Sequence, residues 1–478
     1  MTTEVSGPDI DRVQFCVFGL DSISNELIAQ PKDVADVLRA IIDVRPDGDF
    51  IPSILIPVSF GLTEDDPFDP VLVGWTVIVG ANDPDKEAIV DALRPLATLR
   101  GCPANWAALE YDVAGDLESW IDANYNTLDP VPHFVVLAGS PQHLPFALQV
   151  SLACVAWVGR LDFSTVDDTK ETQHPDLFAQ YVDKVLRNER GETEPTNAEV
   201  VVWATSGGPR DPTRYSRALM AGPLADRIES KAKFAVTRLF DGDATAEVLK
   251  RTASSSRPRL VFTASHGDAV AQSRGVDEQA IQNGALIGQD GARFAASDLP
   301  AADQPFVEGG VIFSFACFGY GTPARSGYTH WWPEIQPYQA PFELVSALPK
   351  AAIAHPRGPI GYIAHADYAV LHAFANADRP GSDGTTALAP RLKAFRETLD
   401  EALLDRPVGA VLEPIAGQLS LLNLQLTDMW DAAQTVGAAV ATNDRLVDAF
   451  LRRNDARYYL ILGDPAARTH TRFEKETA

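Results

Sequence analysis

Short apolar runs alternate with amphipathic segments along most of the chain. This alternation predicts an α/β fold with a mostly parallel sheet flanked by helices, since parallel strands need helical crossovers. In the first part of the chain the predicted strands are residues 13–20, 53–60, 71–80, 107–113, 133–139 and 154–163. The predicted helices in that part are residues 85–99, 116–125 and 176–190.

A polar stretch, GETEPTNAE at residues 191–199, separates this part from a second one in which the alternation restarts. It is the best candidate linker, so we predict an N-terminal α/β subdomain over 1–190 and a second domain over 200–478. The predicted strands of the second part are residues 200–204, 235–240, 259–264, 310–315, 359–364 and 457–462. The predicted helices are residues 214–230, 244–252, 341–348, 391–404, 421–438 and 444–453, with a polar loop over 376–386.

Charge and composition narrow the classes of partner. The 478 residues carry a net charge of −25, which would repel phosphate backbones and anionic lipid. We therefore expect neither nucleic acid nor a membrane as partner. The N-terminus has acidic residues before its first basic one and no apolar core of a signal peptide, so we expect a cytoplasmic protein. The four cysteines have no spacing typical of disulfide frameworks or zinc sites, and no cofactor or metal is predicted.

Two predicted strands end in residues that can carry chemistry. The run 260–264 is followed by Ser265, His266 and Gly267, and the run 311–315 is followed by Ala316 and Cys317. Ligands bind at the carboxyl edge of a parallel sheet, so both side chains should lie at that edge. The His precedes the Cys by about 50 residues, as in caspase-type peptidases.

These residue types suit nucleophilic catalysis. His266 can take the thiol proton of Cys317, and the backbone N–H groups of Gly267 and Cys317 can stabilise a developing oxyanion. Each residue alone is more often structural: a Cys that ends a strand is usually a small core residue. Cys16, Cys102 and Cys154 have no His-Gly partner at this spacing and are predicted to be structural.

Around these residues the sequence resembles the clan CD cysteine peptidases, which have the caspase-like (caspase-hemoglobinase) fold. It is more similar to their gingipain-type and CHAT-type bacterial branches. The histidine and cysteine motifs are VFTASHG (261–267) and VIFSFACFGYG (311–321). Flanking segments that resemble the gingipain order are HFVVLAGSPQHLP (133–145), VAWVGRLDF (155–163), YVDKVLRNER (181–190), GPIGYIAHAD (358–367) and YYLILGDPAAR (458–468).

The resemblance implies a hydrolase, an intracellular cysteine endopeptidase that cuts a specific protein substrate through a Cys-His dyad and a thioester. It also implies that residues 1–190 form a pseudo-caspase subdomain without catalytic residues, and that a protein partner regulates the enzyme, as in CHAT-type relatives. Two alternatives stay open. One is a catalytically silent scaffold that binds a partner protein, and the other is an acyltransferase that uses the same dyad.

The sequence leaves open which substrate residue is preferred immediately before the scissile bond. Arg214 falls near the place where gingipains have an acidic selector, which would favour an acidic substrate residue. Asp367, on the strand after the nucleophile, favours a basic one, and we expect the basic preference. Asp268 and Arg325 are further tentative pocket residues because they are close in sequence to His266 and Cys317. All four could instead be solvated surface charges.

Overall fold

The structure, a computed structural model, describes residues 14–33, 66–167, 170–209, 211–329, 332–380, 386–436 and 444–473. Most of these residues are organised around one large sheet of eleven strands. In chain order the strands are β1 (Trp75–Gly80), β2 (Leu109–Tyr111), β3 (Phe134–Ala138), β4 (Trp157–Leu161), β5 (Thr196–Ala204), β6 (Ala235–Phe240), β7 (Pro258–Ala264), β8 (Val311–Phe315), β9 (Gly361–His365), β10 (Tyr459–Leu462) and β11 (Thr471–Arg472).

The order across the sheet is β6-β5-β7-β8-β9-β10-β4-β3-β1-β2, with β11 beside β5. Neighbouring strands pair in parallel except β9 and β10, which are antiparallel. The two halves of the sheet therefore run in opposite directions, and the strands β5 to β9 present their carboxyl ends at one edge. This arrangement confirms the predicted α/β class with a mostly parallel sheet. The division at 191–199 stays a prediction, although residues 196–199 already belong to β5.

Helices flank the sheet and cover its apolar strands. They are α1 (Lys86–Leu99), α2 (Phe146–Leu152), α3 (Pro175–Glu189), α4 (Gly222–Ser230), α5 (Ala246–Ser255), α6 (Val276–Gln282), α7 (Ala347–Ala354), α8 (Lys393–Ala402), α9 (Glu413–Val436) and α10 (Asp444–Ala456). Residues 200–204 and 258–264 are buried throughout, which explains why the central strands are continuous apolar runs. No helix within the described ranges is both long and apolar enough to cross a membrane.

Short strands lie outside the large sheet. A four-stranded sheet joins Gly19–Asp21, Gly267–Ala269, Leu286–Ile287 and Arg293–Phe294. Two-stranded pairs are formed by Gln14–Phe15 with Lys32–Asp33, Thr165–Asp167 with Lys170–Thr172, Gly321–Thr322 with Leu344–Val345, and Ala375–Pro380 with Thr386–Pro390.

Some local predictions were wrong. The predicted helix 341–348 begins only at Ala347, because Leu344–Val345 pairs with Gly321–Thr322. The predicted loop 376–386 lies largely within the pair of strands Ala375–Pro380 and Thr386–Pro390. The first residues of the predicted strand 71–80 are helical, since Pro70–Val73 forms a turn of helix that ends at Gly74 with φ +82°. The predicted strand 53–60 lies outside the described residues.

A buried ion-pair cluster lies in the half of the sheet that contains β10 and β1. Asp464, just after β10, accepts hydrogen bonds from Trp75 Nε1 (2.9 Å) and Arg100 Nε (2.9 Å). Arg100 also pairs with Glu189 at 2.6 Å. The Gly-Asp-Pro motif thus ties β10 to β1 and to the ends of α1 and α3.

Asp464→Asn should lower the free energy of unfolding by about 3 kcal/mol, because it removes one of the two carboxylates that compensate the buried charge of Arg100. Glu189 still pairs with Arg100, so we expect the lower end of the usual range. Urea denaturation would measure it. The matched control is Asp91→Asn, which breaks an exposed pair with Arg94 and should change stability by less than about 0.5 kcal/mol. Equal effects of the two substitutions would contradict a structural role for the cluster.

Candidate active site

The structure brings His266 and Cys317 to the same edge of the sheet. β7 and β8 are adjacent and parallel, with Ala264 opposite Phe315, and each candidate residue follows the end of its strand by two positions. Both side chains are buried, at 3% and 0% exposure. Gly267 allows the two turns to touch, because a Cβ there would lie 1.9 Å from the carbonyl oxygen of Cys317.

A third residue, Asp211, completes the arrangement. It lies in the loop that follows β5, the strand beside β7, so it reaches the same edge. Its Oδ1 is 2.8 Å from Nε2 of His266. The backbone N–H (2.8 Å) and hydroxyl (2.7 Å) of Thr213 donate to the same carboxylate and hold it in place. The sequence analysis did not find Asp211, although its position after a central strand was a usable signal.

The electrostatics of this triad fix the proton positions. Burial raises the pKa of Asp211 and the neighbouring His266 lowers it, with additional lowering by Thr213; the result is about 2. Asp211 is therefore a carboxylate near neutral pH, and Nε2 of His266 must donate the hydrogen bond between them. Within the described structure, Nδ1 of His266 is buried and has no hydrogen-bond partner. Nδ1 is thus the ring nitrogen left to exchange a proton.

The Cys317 thiol is enclosed. Burial raises its pKa well above the usual range, while hydrogen bonds with the backbone at Ala369 and Phe18 act in the opposite direction. Its Sγ lies 3.7 Å from the carbonyl oxygen of Ala369, which accepts the bond. Burial therefore favours the neutral thiol of Cys317.

Two backbone N–H groups converge on one point beside Cys317. The N–H of Gly267 (2.9 Å) and the N–H of Cys317 (3.3 Å) both donate to the carbonyl oxygen of Phe18. Two donors aimed at one oxygen form the geometry that stabilises an oxyanion. These are the two groups that the sequence analysis assigned to that role.

The turn after Cys317 has an unusual backbone conformation. Phe318 has φ +56°, a region that costs a bulky residue of the order of 1–2 kcal/mol. The turn is held by the Phe318 N–H, which donates to Asp367 O (3.0 Å), and by the Ser346 hydroxyl, which donates to Phe318 O (2.6 Å). Tertiary hydrogen bonds therefore impose the conformation of the turn that follows Cys317.

Asp367 is wholly buried and its carboxylate is fully engaged. It accepts hydrogen bonds from the Ser326 hydroxyl (2.9 Å), the Gly327 N–H (3.3 Å) and the Tyr368 N–H (2.9 Å). The structure thus places this carboxylate in the support of the loop after the nucleophile.

The other three tentative pocket residues lie in different surroundings. Arg214 donates to the carbonyl oxygen of Pro209 (2.6 Å) and lies over the ring of Tyr215. Asp268 is buried and accepts from Arg293 Nε at 2.7 Å. Arg325 is exposed in the loop after the nucleophile. The specificity roles of all four residues stay predictions.

Burial raises the pKa of Asp367 from an ordinary 3.8 to about 6. The folded protein then holds a proton that the unfolded chain has lost, so stability should fall as the pH rises from about 4 to about 6. The loss amounts to roughly 3 kcal/mol. Urea denaturation at several pH values should show this slope, and Asp367→Asn should reduce it. An unchanged slope in Asp367→Asn would contradict the assignment.

No family model matches this sequence, and no curated protein matches it. Among solved structures, the chain is similar to the Arg-specific cysteine proteinase gingipain R (RGPB), with a TM-score of 0.47, 13% identity, and coverage of 85% of this chain and 79% of that one. A chain described as a protease has a TM-score of 0.46 and 14% identity, with coverage of 82% of this chain and 78% of that one. The complex of Porphyromonas gingivalis RgpB pro- and mature domains has a TM-score of 0.45 and 12% identity, with coverage of 82% of this chain and 79% of that one.

These values describe a distant likeness, so the site is interpreted from its own geometry. Among the residues that the structure describes, no group of three or more His, Cys, Asp or Glu side chains could hold a metal ion.

Proposed function

We propose that this protein is a cysteine endopeptidase of the caspase-like, clan CD type. The observation that supports the proposal is the convergence of Asp211, His266 and Cys317 beside two backbone N–H donors. Each group has one role that acyl transfer requires: a nucleophile, an acid–base, a residue that orients it, and an oxyanion site.

The reaction follows from these positions. The thiol proton of Cys317 passes to Nδ1 of His266, and Sγ forms a bond to the substrate carbonyl carbon. The oxyanion is stabilised by the N–H groups of Gly267 and Cys317. When the C–N bond breaks, Nδ1 returns the proton to the leaving amine and a thioester remains. Water then loses a proton to Nδ1, and its oxygen forms a bond to the thioester carbon. The C–S bond breaks, and Nδ1 returns the proton to Sγ, which releases the acid and restores the thiol.

A second candidate is a silent caspase-like scaffold that binds a partner protein. The enclosure of Cys317 and the raised pKa of its thiol favour it. A non-proteolytic acyltransferase would form the same thioester and transfer its acyl group to an amine. The regulatory partner and the intracellular location stay predictions.

A peptide-library cleavage profile of the purified full chain tests the proposal. The carbonyl oxygen of Phe18 accepts from both oxyanion donors. The profile is therefore also measured for Phe18→Asp, in which the added charge disfavours the buried position of this side chain. We expect cleavage that requires both Cys317 and His266. Cleavage that survives Cys317→Ala would contradict the proposal. No cleavage in either chain would contradict it and favour the scaffold. Amine transfer without hydrolysis would favour the acyltransferase.

A further inference from the structure

Residues 15–21 cross the candidate active site as an extended segment. The N–H of Phe18 donates to the carbonyl oxygen of Ala369 (3.2 Å), and the N–H of Leu371 donates to the carbonyl oxygen of Cys16 (3.2 Å). Peptides bound by strand addition are held by backbone hydrogen bonds of this kind. The sequence predicted a strand here, over 13–20, but gave no sign that it would lie at the nucleophile.

The downstream end of the segment continues past the nucleophile. Gly19–Asp21 pairs in parallel with Gly267–Ala269, the strand that directly follows His266. A Cβ built on Gly19 would lie 3.5 Å from Cβ of Cys317 and only 2.7 Å from Cδ1 of Ile28. The peptide bond after Phe18 therefore lies close to the side chain of Cys317, and a Cβ at Gly19 would have to displace the end of the Ile28 side chain.

The carbonyl oxygen of Phe18 occupies the oxyanion position. Both donors of that position, the N–H groups of Gly267 and Cys317, are satisfied by this one oxygen. A substrate carbonyl must accept from the same two groups, so the segment and a substrate cannot bind together. In this register Phe18 corresponds to the substrate residue before the cut, and Gly19 to the residue after it.

The side chain of Phe18 lies in an aromatic environment. Its ring centroid is 5.0 Å from that of Phe315 in an edge-on contact, 5.9 Å from Phe374 and 6.1 Å from His266. Phe18, Phe315 and Phe374 are all fully buried. Edge-to-face contacts of this kind favour another aromatic ring, whereas a charged group would lose its hydration there.

The turn beyond the segment is anchored to the protein. Arg293 pairs with the buried Asp268 and also donates to the carbonyl oxygen of Ser22 (2.9 Å) and to Oδ1 of Asn25 (2.9 Å). Asp268 thus holds, through Arg293, the chain that leaves the cleft. The segment is fixed on both sides of Cys317.

Resting on the proposed function, we propose that residues 15–21 are an internal pseudosubstrate that blocks the cleft, and that the pocket around Phe18 selects an aromatic residue before the cut. The charged group of Asp367 is directed to Ser326, and that of Arg214 to Pro209. A charged substrate residue would therefore enter a pocket of rings. This proposal replaces the expected basic preference with an apolar, aromatic one.

Selectivity is tested with three peptidyl acyloxymethyl ketones that share one sequence and end in Phe, Arg or Asp. They are incubated with the full chain carrying Phe18→Asp, in which the segment is displaced from the cleft, and labelling of Cys317 is followed by peptide mapping. We expect the Phe probe to react at least about 100-fold faster than the other two. Equal or faster labelling by the Arg or Asp probe would overturn the aromatic pocket.

Blocking is tested with iodoacetamide, a reagent too small to need the pocket. Phe18→Asp should raise the rate of Cys317 labelling at least about tenfold, because the carboxylate is disfavoured among the rings. The matched control is Ile23→Asp, which adds the same charge two residues beyond the segment, at a side chain that is 70% exposed. It should label at the unaltered rate.

Folding of Phe18→Asp is judged by its thermal transition. If this variant does not fold, Phe18→Ala is used in its place. It removes the ring contacts without adding charge and should raise labelling several-fold. A folded variant at Phe18 that labels no faster than Ile23→Asp would overturn the pseudosubstrate. Failure of the proposed function looks different: labelling would rise in the Phe18 variants, yet no peptide would be cut.

Discussion

Cys317→Ala should lower the rate of peptide cleavage by at least about 10⁴-fold, and His266→Ala by a similar factor. In the proposed reaction the first substitution removes the atom that forms the thioester. The second removes the group that accepts and returns its proton. Because the two residues act as one unit, the double variant should be no slower than either single variant. Cleavage is measured in the unaltered chain and in the Phe18→Asp background.

The matched control for this prediction is Cys154→Ala. Cys154 is a half-buried thiol whose Sγ lies 3.6 Å from the carbonyl oxygen of Val150, far along the chain from the candidate dyad. Its removal should leave cleavage within about twofold of the parent rate. If Cys317→Ala or His266→Ala retained more than about 1% of the rate, the dyad would be excluded.

Asp211→Asn should reduce kcat by about 100-fold or more, with little change in KM. Asp211 is a positioning residue: its carboxylate accepts from Nε2 of His266 and so leaves Nδ1 to act on Cys317. An amide can present its N–H to the ring instead, which favours the wrong tautomer. Asp211→Glu keeps the charge and should recover part of kcat.

Asp211 should add no pH dependence of its own to the cleavage rate above about pH 4. Burial raises and His266 lowers the pKa of Asp211, to about 2. Its carboxylate therefore stays ionised above about pH 4, and any loss of activity between pH 4 and 7 must arise from another group. An Asp211→Asn enzyme with unchanged kcat, or one whose KM alone rises, would contradict the positioning role.

The local pattern of apolar residues was sufficient to predict the two strands that precede His266 and Cys317. The apolar runs that end before His266 and Cys317 predicted two central strands, and the rule for parallel sheets placed their ends at one edge. Those inferences need only the residue sequence and the common direction of neighbouring strands. The observed strands Pro258–Ala264 and Val311–Phe315 differ from the predicted ranges by one residue at their starts.

The other features of the site depend on contacts between residues that are far apart in the sequence, and local pattern does not predict such contacts. Asp211 lies in a loop with no regular pattern, and its contact with His266 depends on the adjacency of β5 and β7. The strand predicted over 13–20 is present in part, but no local signal indicates that Phe18 would meet Gly267 and Cys317. Leu344–Val345 pairs with Gly321–Thr322 for the same reason, against the helix predicted there.

The most direct test of the account is intact-mass spectrometry with peptide mapping after reaction with the Phe-ended acyloxymethyl ketone. The reaction is run on the Phe18→Asp chain and on the same chain carrying His266→Ala. We expect a single adduct on Cys317 that forms at least about tenfold more slowly without His266. Labelling spread over Cys16, Cys102 and Cys154, or a rate on Cys317 that does not depend on His266, would contradict the account.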